Sequence, residues 1–250
     1  MSSYLGFLSY LGTAYSGYQI QNGQITIQGV LEDRLSVLLK EDIKTKGSSR
    51  TDTGVHALSN AFHFDFEGDL PEAFLKRMNA LLPEDISFLG LHKVSDEFHA
   101  RFSATERSYV YRAYCGKNPF YNGRAYRLLG FVPDVEKMNE AAELLVKYED
   151  FVCFSKANSG VKTTLCDIKY AKWDCVNESE FYFNIRANRF LRGMVRGVVG
   201  SLLKVGKGVS SLDDFERMIC AKKPYTADFS APAEGLYLEK VIYKGINETL

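Results

Sequence analysis

Apolar positions recur along this chain with two different periods. Tyr4 to Tyr10 reads as a strand. Asn60, Phe62, Phe64 and Phe66 alternate with Ala61, His63 and Asp65, the period-two signature of a strand. Ser108 to Tyr114 alternates again, with Tyr109 and Tyr111 on one face and Val110 and Arg112 on the other. Ile168 to Val176 and Glu180 to Arg186 read as a hairpin turning at Asn177-Glu178-Ser179, and Leu236 to Tyr243 reads as a last strand. The helical period appears in Leu31, Leu35, Leu38 and Leu39, with Thr26 as a cap, and over Phe74 to Leu82. It returns in Met138, Ala141, Ala142 and Leu145, entered through Pro133-Asp134, and in a longer run from Phe190 to Leu203. Ser211 and Asp214 form a capping-box start for Leu212, Phe215, Met218 and Ile219. The mixture lacks a strict βαβ rhythm, so the expected class is α+β with largely antiparallel sheet. Pro133-Asp134 is the expected division, giving halves 1–132 and 133–250.

Composition narrows the class. At 46% hydrophobic and 25% charged, the 250 residues suit a globular protein with a real core. Seventeen Phe and fifteen Tyr favour sheet. No apolar run reaches the roughly 18 residues of a membrane helix, and Met1 to Tyr10 has no export signal. The five cysteines are scattered without a C-x-x-C, which points to a reducing cytoplasm and to neither disulfides nor zinc.

Charge changes the picture more. Lys+Arg and Asp+Glu both total 31, a net of zero. That balance argues against nucleic-acid binding until its distribution is considered. Arg101, Arg107, Arg112, Lys117, Arg124 and Arg127 face only Glu106 across their segment. Arg186 to Lys207 holds six cations and no acid, while Asp65 to Glu97 holds eight acids against three bases. The neutral total hides two basic blocks.

The densest chemistry lies in Ser49-Arg50-Thr51-Asp52-Thr53-Gly54-Val55-His56-Ala57. A cation, a hydroxyl, a carboxylate and an imidazole surround one glycine. The plain alternative is a turn in which Asp52 bonds nearby N–H groups and Gly54 supplies a positive φ. Asp52 and His56 have a spacing that suits metal ligands on a helix, but Gly54 argues against a helix there and no third ligand is evident, so no metal is expected. Arg189, Arg192 and Arg196 fall at i, i+3 and i+7, on one edge of the Phe190–Leu203 helix beside Gly193, Gly197 and Gly200. Interior glycines cost about 1 kcal/mol each relative to alanine, which suggests close backbone approach. Gly200 to Gly208 does not fit a phosphate loop: five residues separate Gly200 from Gly206, and glycine follows Lys207. Phe98-His99-Ala100-Arg101-Phe102 and Arg107-Ser108-Tyr109 interleave cations and aromatics as a stacked base requires.

Six segments together resemble, in order, the motifs of the tRNA pseudouridine synthase A family. They are Tyr15 to Gln21, Arg50 to Ala57, Asn79 to Ile86, Phe98 to Tyr111, Ala187 to Arg196 and Gly235 to Leu238. The resemblance implies two similar α+β halves flanking an active-site cleft, and a homodimer with tRNA lying across both subunits. It implies conversion of uridine to pseudouridine on the 3′ side of the tRNA anticodon stem-loop, without cofactor or metal. Asp52 would be the nucleophile, at ribose C1′ or through a glycal route. Arg196 would hold it charged, and Tyr109 would stack on uracil and assist loss of the C5 proton. Arg50 would fill the flipped base's place or hold its backbone, and His56, Arg101, Arg107, Arg189 and Arg192 would serve RNA binding. Ser49, Tyr18, Arg192, Gly193, Gly197 and Cys166 depart from the family's usual residues. Three other readings stand beside this one: a non-catalytic RNA-binding or RNA-folding protein, a pseudouridine synthase acting at a different RNA site, and an Asp-dependent enzyme on another nucleoside-like substrate.

Overall fold

The Asn60–Phe66 alternation forms the end of a longer strand, β3 (His56–Phe66), in the computed structural model of the protein, which describes residues 2–155 and 163–246. The chain folds as two compact units, Met1–Thr105 with Tyr237–Leu250, and Glu106–Leu236. The expected division at 132/133 does not coincide with them. The chain leaves the first unit within β5 (Ala104–Cys115) and returns with β9 (Leu236–Tyr243), which pairs with β3. Pro133-Asp134 instead opens α3 (Val135–Lys147), where Asp134 accepts the Lys137 N–H as the cap. The mixed α+β class stands, with mostly antiparallel pairing and five α-helices among the described residues.

In the first unit the strand order is β4–β1–β3–β9, with β1 at Ser2–Tyr10 and β4 at Ile86–Val94. β3 and β9 run parallel, with His56 opposite Tyr237 and Ala57 opposite Leu238. β4 is absent from the sequence expectations because Gly90 holds one of its inward positions, leaving Ile86 and Phe88 to carry the alternation alone. Phe62, Phe64 and Phe88 are buried, and the Phe62 and Phe88 rings meet edge to face at 5.7 Å. Burial of each such ring contributes about 1.5–3 kcal/mol. Helix α1 (Ile27–Leu39) starts where the Thr26 hydroxyl accepts the Gly29 N–H. Its Glu32 is buried but satisfied: Oε1 accepts from the Thr45 N–H (2.8 Å), the Thr45 hydroxyl (3.0 Å) and Gln28 Nε2 (3.0 Å). These bonds fix the chain entering β2 (Lys46–Gly47), which pairs with β3.

In the second unit β5, β8 (Glu180–Ala187) and β7 (Ile168–Asn177) pair antiparallel in that order, and β6 (Tyr126–Leu128) runs parallel to β5. The β7–β8 hairpin turns where the sequence predicts. Trp173 and Phe183 are buried with their rings 5.3 Å apart. Helix α5 (Leu212–Cys220) carries the full Ser211/Asp214 capping box. Helix α4 (Met194–Gly206) starts four residues later than the expected Phe190. Gly193 takes φ +71°, a left-handed conformation that ends any helical register, so Arg189 and Arg192 do not share a helical edge with Arg196. The glycines inside α4 do permit close approach: a Cβ on Gly200 would lie 2.2 Å from the Asp228 carbonyl oxygen.

Each unit ties a helix to a sheet-edge strand with one asparagine. On α2 (Phe74–Leu81), Asn79 accepts the Phe88 N–H (2.7 Å) and donates to the Phe88 carbonyl (2.9 Å). On α3, Asn139 accepts the Trp173 N–H (2.8 Å) and donates to the Trp173 carbonyl (3.0 Å). Truncating either side chain strands two backbone groups of a buried residue. Asn79→Ala and Asn139→Ala are each expected to cost about 1–3 kcal/mol, measured by urea denaturation. A loss below about 0.5 kcal/mol, the ordinary range for surface substitutions, would show that water replaces the clamp.

Candidate active site

The segment from Ser48 to His56 is held from several directions. The Ser48 N–H donates to the Ala61 carbonyl (2.7 Å), continuing the β2–β3 pairing. Asn60, the polar member of the aromatic alternation, donates from Nδ2 to the Ser49 carbonyl (3.1 Å) and to the Tyr10 hydroxyl (3.2 Å). The Tyr10 and Thr51 hydroxyls share a bond of 2.9 Å. From Leu8 to Tyr10, β1 advances two residues while its β3 partners run three, from Asn60 to Ala57. This bulge accommodates an extra residue where β3 meets the loop, a common device beside functional sites.

The Tyr15–Gln21 segment closes the other side. The Tyr18 N–H donates to the Thr51 carbonyl (3.1 Å). Gly17, at φ +84°, lets that carbonyl lie where a Cβ would be only 2.6 Å away. Gly12 passes closer still, since a Cβ there would meet the Val55 carbonyl at 2.0 Å. Within the loop, Val55 N–H donates to the Asp52 carbonyl (3.1 Å) and Gly54 takes φ +78°. The turn reading is correct for the backbone, and it excludes a helix carrying Asp52 and His56 as metal ligands. The Asp52 side chain is half-buried and Arg50 is exposed.

His56 lies beneath this loop, away from the surface expected of an RNA contact. It is fully buried, its Nδ1 accepts the Gly12 N–H (3.0 Å), and its ring stands 4.6 Å from Tyr237. Its placement makes it a positioning residue. Arg101 is exposed, on a turn whose Ala100 N–H donates to His63 Nδ1 (3.1 Å) and whose Ala100 carbonyl accepts the Tyr243 hydroxyl (2.6 Å). Burial, with His99 and Lys46 nearby, pushes His63 down to about 4, so it is neutral at pH 7 and accepts that bond.

In the second unit the structure gathers Arg107, Tyr109, Asn188 and Phe190. Arg107 is nearly buried and donates from Nη1 to the Asn188 carbonyl (2.9 Å). The half-buried Tyr109 meets Phe190 edge to face at 5.2 Å. Arg196 is half-buried and donates from Nε to the Ala231 carbonyl (2.7 Å), and the Tyr111 hydroxyl donates to the Pro232 carbonyl (2.9 Å). Burial, then Tyr126, raise the Tyr111 pKa well above the ordinary phenol value, against a smaller opposing influence of Arg196. Arg189 is half-buried and Arg192 exposed. The sequence reading missed Tyr10, Gly12, Asn60 and Ala231. Asn60 alone carried a signal, as a polar residue in a row of phenylalanines.

Several departures from the family pattern have local partners. Tyr18 is buried with its ring over Gly47, where a Cβ would lie 2.3 Å from it. Gly197 faces Phe229 and Phe154, at 3.0 and 3.3 Å from a would-be Cβ. Burial raises the Cys166 thiol to about 11, so it stays protonated.

A family model described as tRNA pseudouridine synthase matches residues 7–103 and 141–244. The chain is 43% identical over 242 residues to the tRNA pseudouridine synthase A of Bacteroides fragilis, covering 96% of each chain. It is 40% identical over 250 residues to that of Porphyromonas gingivalis, covering 97% of this chain and 98% of the relative. It is 42% identical over 240 residues to that of Bacillus licheniformis, covering 94% and 97%.

The Tyr10 hydroxyl joins Asn60 to Thr51, so Tyr10→Phe leaves both short of a partner. The expected loss is about 1–3 kcal/mol. Amide exchange at Tyr18 and Val55, whose acceptors lie on the loop, is expected to accelerate with it. Unchanged exchange at both amides would mean that the loop holds its shape without Tyr10.

Proposed function

Because the chain belongs to the tRNA pseudouridine synthase A family and is an isomerase acting on tRNA, we propose that Asp52 is its nucleophile and that its target is a uridine on the 3′ side of the anticodon stem-loop. The observation that carries this reading is the construction of the Asp52 loop. Its backbone is fixed from Tyr10, Gly12, Tyr18 and Asn60, while the carboxylate stays half-exposed. Such a constellation favours attack by a positioned group, because the ordering has occurred before substrate arrives.

The chemistry is balanced without cofactor or metal. The uridine is extruded from its stack so that the ribose is within reach. The Asp52 carboxylate attacks C1′, the C1′–N1 bond breaks and its electron pair leaves with the uracil. The base rotates and C5 bonds to C1′, releasing the carboxylate. The C5 proton departs with the help of the Tyr109 hydroxyl, and N1 gains a proton. Arg196 is the cation assigned to keep the carboxylate ionised. Arg50 takes the flipped base's place or holds its backbone, and Arg101, Arg107, Arg189 and Arg192 serve the RNA. The protein acts in the cytoplasm as a homodimer, so that basic blocks from two neutral chains build one continuous surface.

Asp52→Asn is expected to lower turnover by at least about 10³-fold, the scale of nucleophile removal, with tRNA affinity and fold retained. Arg196→Ala is expected to cost about 10²-fold, as when one stabilising charge partner is lost. Tyr109→Phe is expected to cost about 10²-fold, the lower end of general acid–base contributions. Mapping pseudouridine in bulk tRNA with and without each variant measures all three. Wild-type turnover by Asp52→Asn would falsify the nucleophile assignment, and a fully active Tyr109→Phe would leave Tyr109 as a stacking surface alone.

Affinity for tRNA is expected to fall steeply with salt, through counterion release. Arg189→Ala and Arg192→Ala should each reduce the log–log slope by up to about one. Light scattering at working concentration reads the assembly, and a fully active monomer would overturn the shared-surface arrangement while leaving Asp52 chemistry in place.

A further inference from the structure

Phe102 is 75% exposed. A lone exposed phenylalanine needs no explanation, but this one is held rigidly. The Phe102 and Ser103 N–H groups both donate to the His99 carbonyl, at 3.0 and 2.8 Å. The His99 N–H donates to the Ser103 hydroxyl (3.1 Å), and the Arg101 N–H donates to His99 Nδ1 (3.1 Å). The His99 ring backs the Phe102 ring at 4.4 Å, and the Arg101 guanidinium lies 5.6 Å from its centroid. The turn is anchored to β3 and β9 through His63, which accepts from Ala100, and Tyr243, which donates to it. Lys46, exposed on β2, stands opposite His63, whose ring is 4.9 Å from that of His99. The acid nearest in register, Asp65 on β3, accepts the Ser3 hydroxyl.

We propose that Phe102 is a stacking platform for an unpaired nucleotide of the bound RNA, with Arg101 and Lys46 holding the adjoining phosphates. The proposal rests on the tRNA reading above and adds a second contact to it. His63 lies seven residues along β3 from His56, about 23 Å at the rise of a strand. The platform is therefore a docking point remote from the Asp52 loop within the same unit. An aromatic ring whose position is already fixed suits this task, because stacking then orders the nucleotide alone. Flanking cations favour RNA over an apolar protein surface, and Arg101 opens the basic segment that continues to Arg127 against Glu106 only.

The test is tRNA affinity together with steady-state kinetics. Phe102→Ala is expected to raise Kd and KM about 5- to 100-fold, the scale of one lost base stack, while kcat changes less than about twofold. Phe102→Trp should restore affinity. The salt slope should stay unchanged in Phe102→Ala and fall by about one in Arg101→Gln and in Lys46→Gln. Wild-type Kd in Phe102→Ala, with normal pseudouridine formation, overturns the platform and leaves the reaction standing. Affinity that depends on Phe102 in a wild-type protein that forms no pseudouridine overturns the reaction and leaves the platform. A change in self-association by light scattering, with Kd for tRNA unmoved, assigns the ring to a protein contact and also overturns the proposal.

Discussion

The Asp52 loop depends on two places where backbone meets backbone with no room for a side chain. Gly12 lies against the Val55 carbonyl and Gly17 against the Thr51 carbonyl. Both carbonyls belong to the loop that carries Asp52, so a Cβ at either glycine would force the loop backbone to shift. Gly17 also needs its positive φ, which a side chain strains further. The other holds follow from this packing. Only when Gly12, two residues past the end of β1, and the Tyr18 amide are this close does His56 receive the Gly12 N–H and Thr51 receive the Tyr18 N–H. Glu32 contributes from further away, by fixing Thr45 and the chain that enters β2. A buried carboxylate with three donors costs little and specifies much, and Gln28 Nε2 strengthens the hold by also donating to the Thr45 carbonyl (2.9 Å).

The asparagine clamps show the same economy at the sheet edges. An outer strand presents backbone groups that invite pairing with another chain. Asn79 satisfies both groups of Phe88, and Asn139 satisfies both groups of Trp173. The two units thus share a helix-to-edge device as well as a helix-on-sheet layout.

Side-chain periodicity reveals elements whose inward positions carry large apolar groups, and it conceals the rest. β3, β7, β8, α1, α3 and α5 are legible because Phe, Trp, Leu and Met mark the buried positions. β4 is hidden by Gly90 and α4 is overextended at its start, since Phe190 and Leu191 continue an apolar face that Gly193 terminates by conformation. The division of the chain is illegible for a related reason: β9 joins β3 through backbone pairing, which leaves no periodic trace linking residues so far apart in sequence. At the site, residue types that perform chemistry are visible as a motif, whereas Tyr10 and Asn60 are ordinary strand residues until the strands are placed side by side.

The Arg-x-Tyr-x-Tyr segment shows how structure separates residues that sequence treats alike. Tyr109 and Tyr111 share a face of β5 by alternation, yet their surroundings differ. Gly235 stands so near Tyr111 that a Cβ would be 2.6 Å from its ring, and the hydroxyl is committed to the Pro232 carbonyl. Burial keeps that phenol protonated, which suits a permanent donor and disqualifies it as a proton acceptor at neutral pH. Its bond fixes the 231–235 segment, and the same segment offers the Ala231 carbonyl to Arg196. Tyr111 therefore helps set where the Arg196 guanidinium is held. Tyr109, half-buried and touched edge-on by Phe190, keeps one part of its ring outside the core. Two tyrosines two residues apart thus divide into a fixed strut and an accessible ring, and the C-terminal glycine is what makes the strut fit.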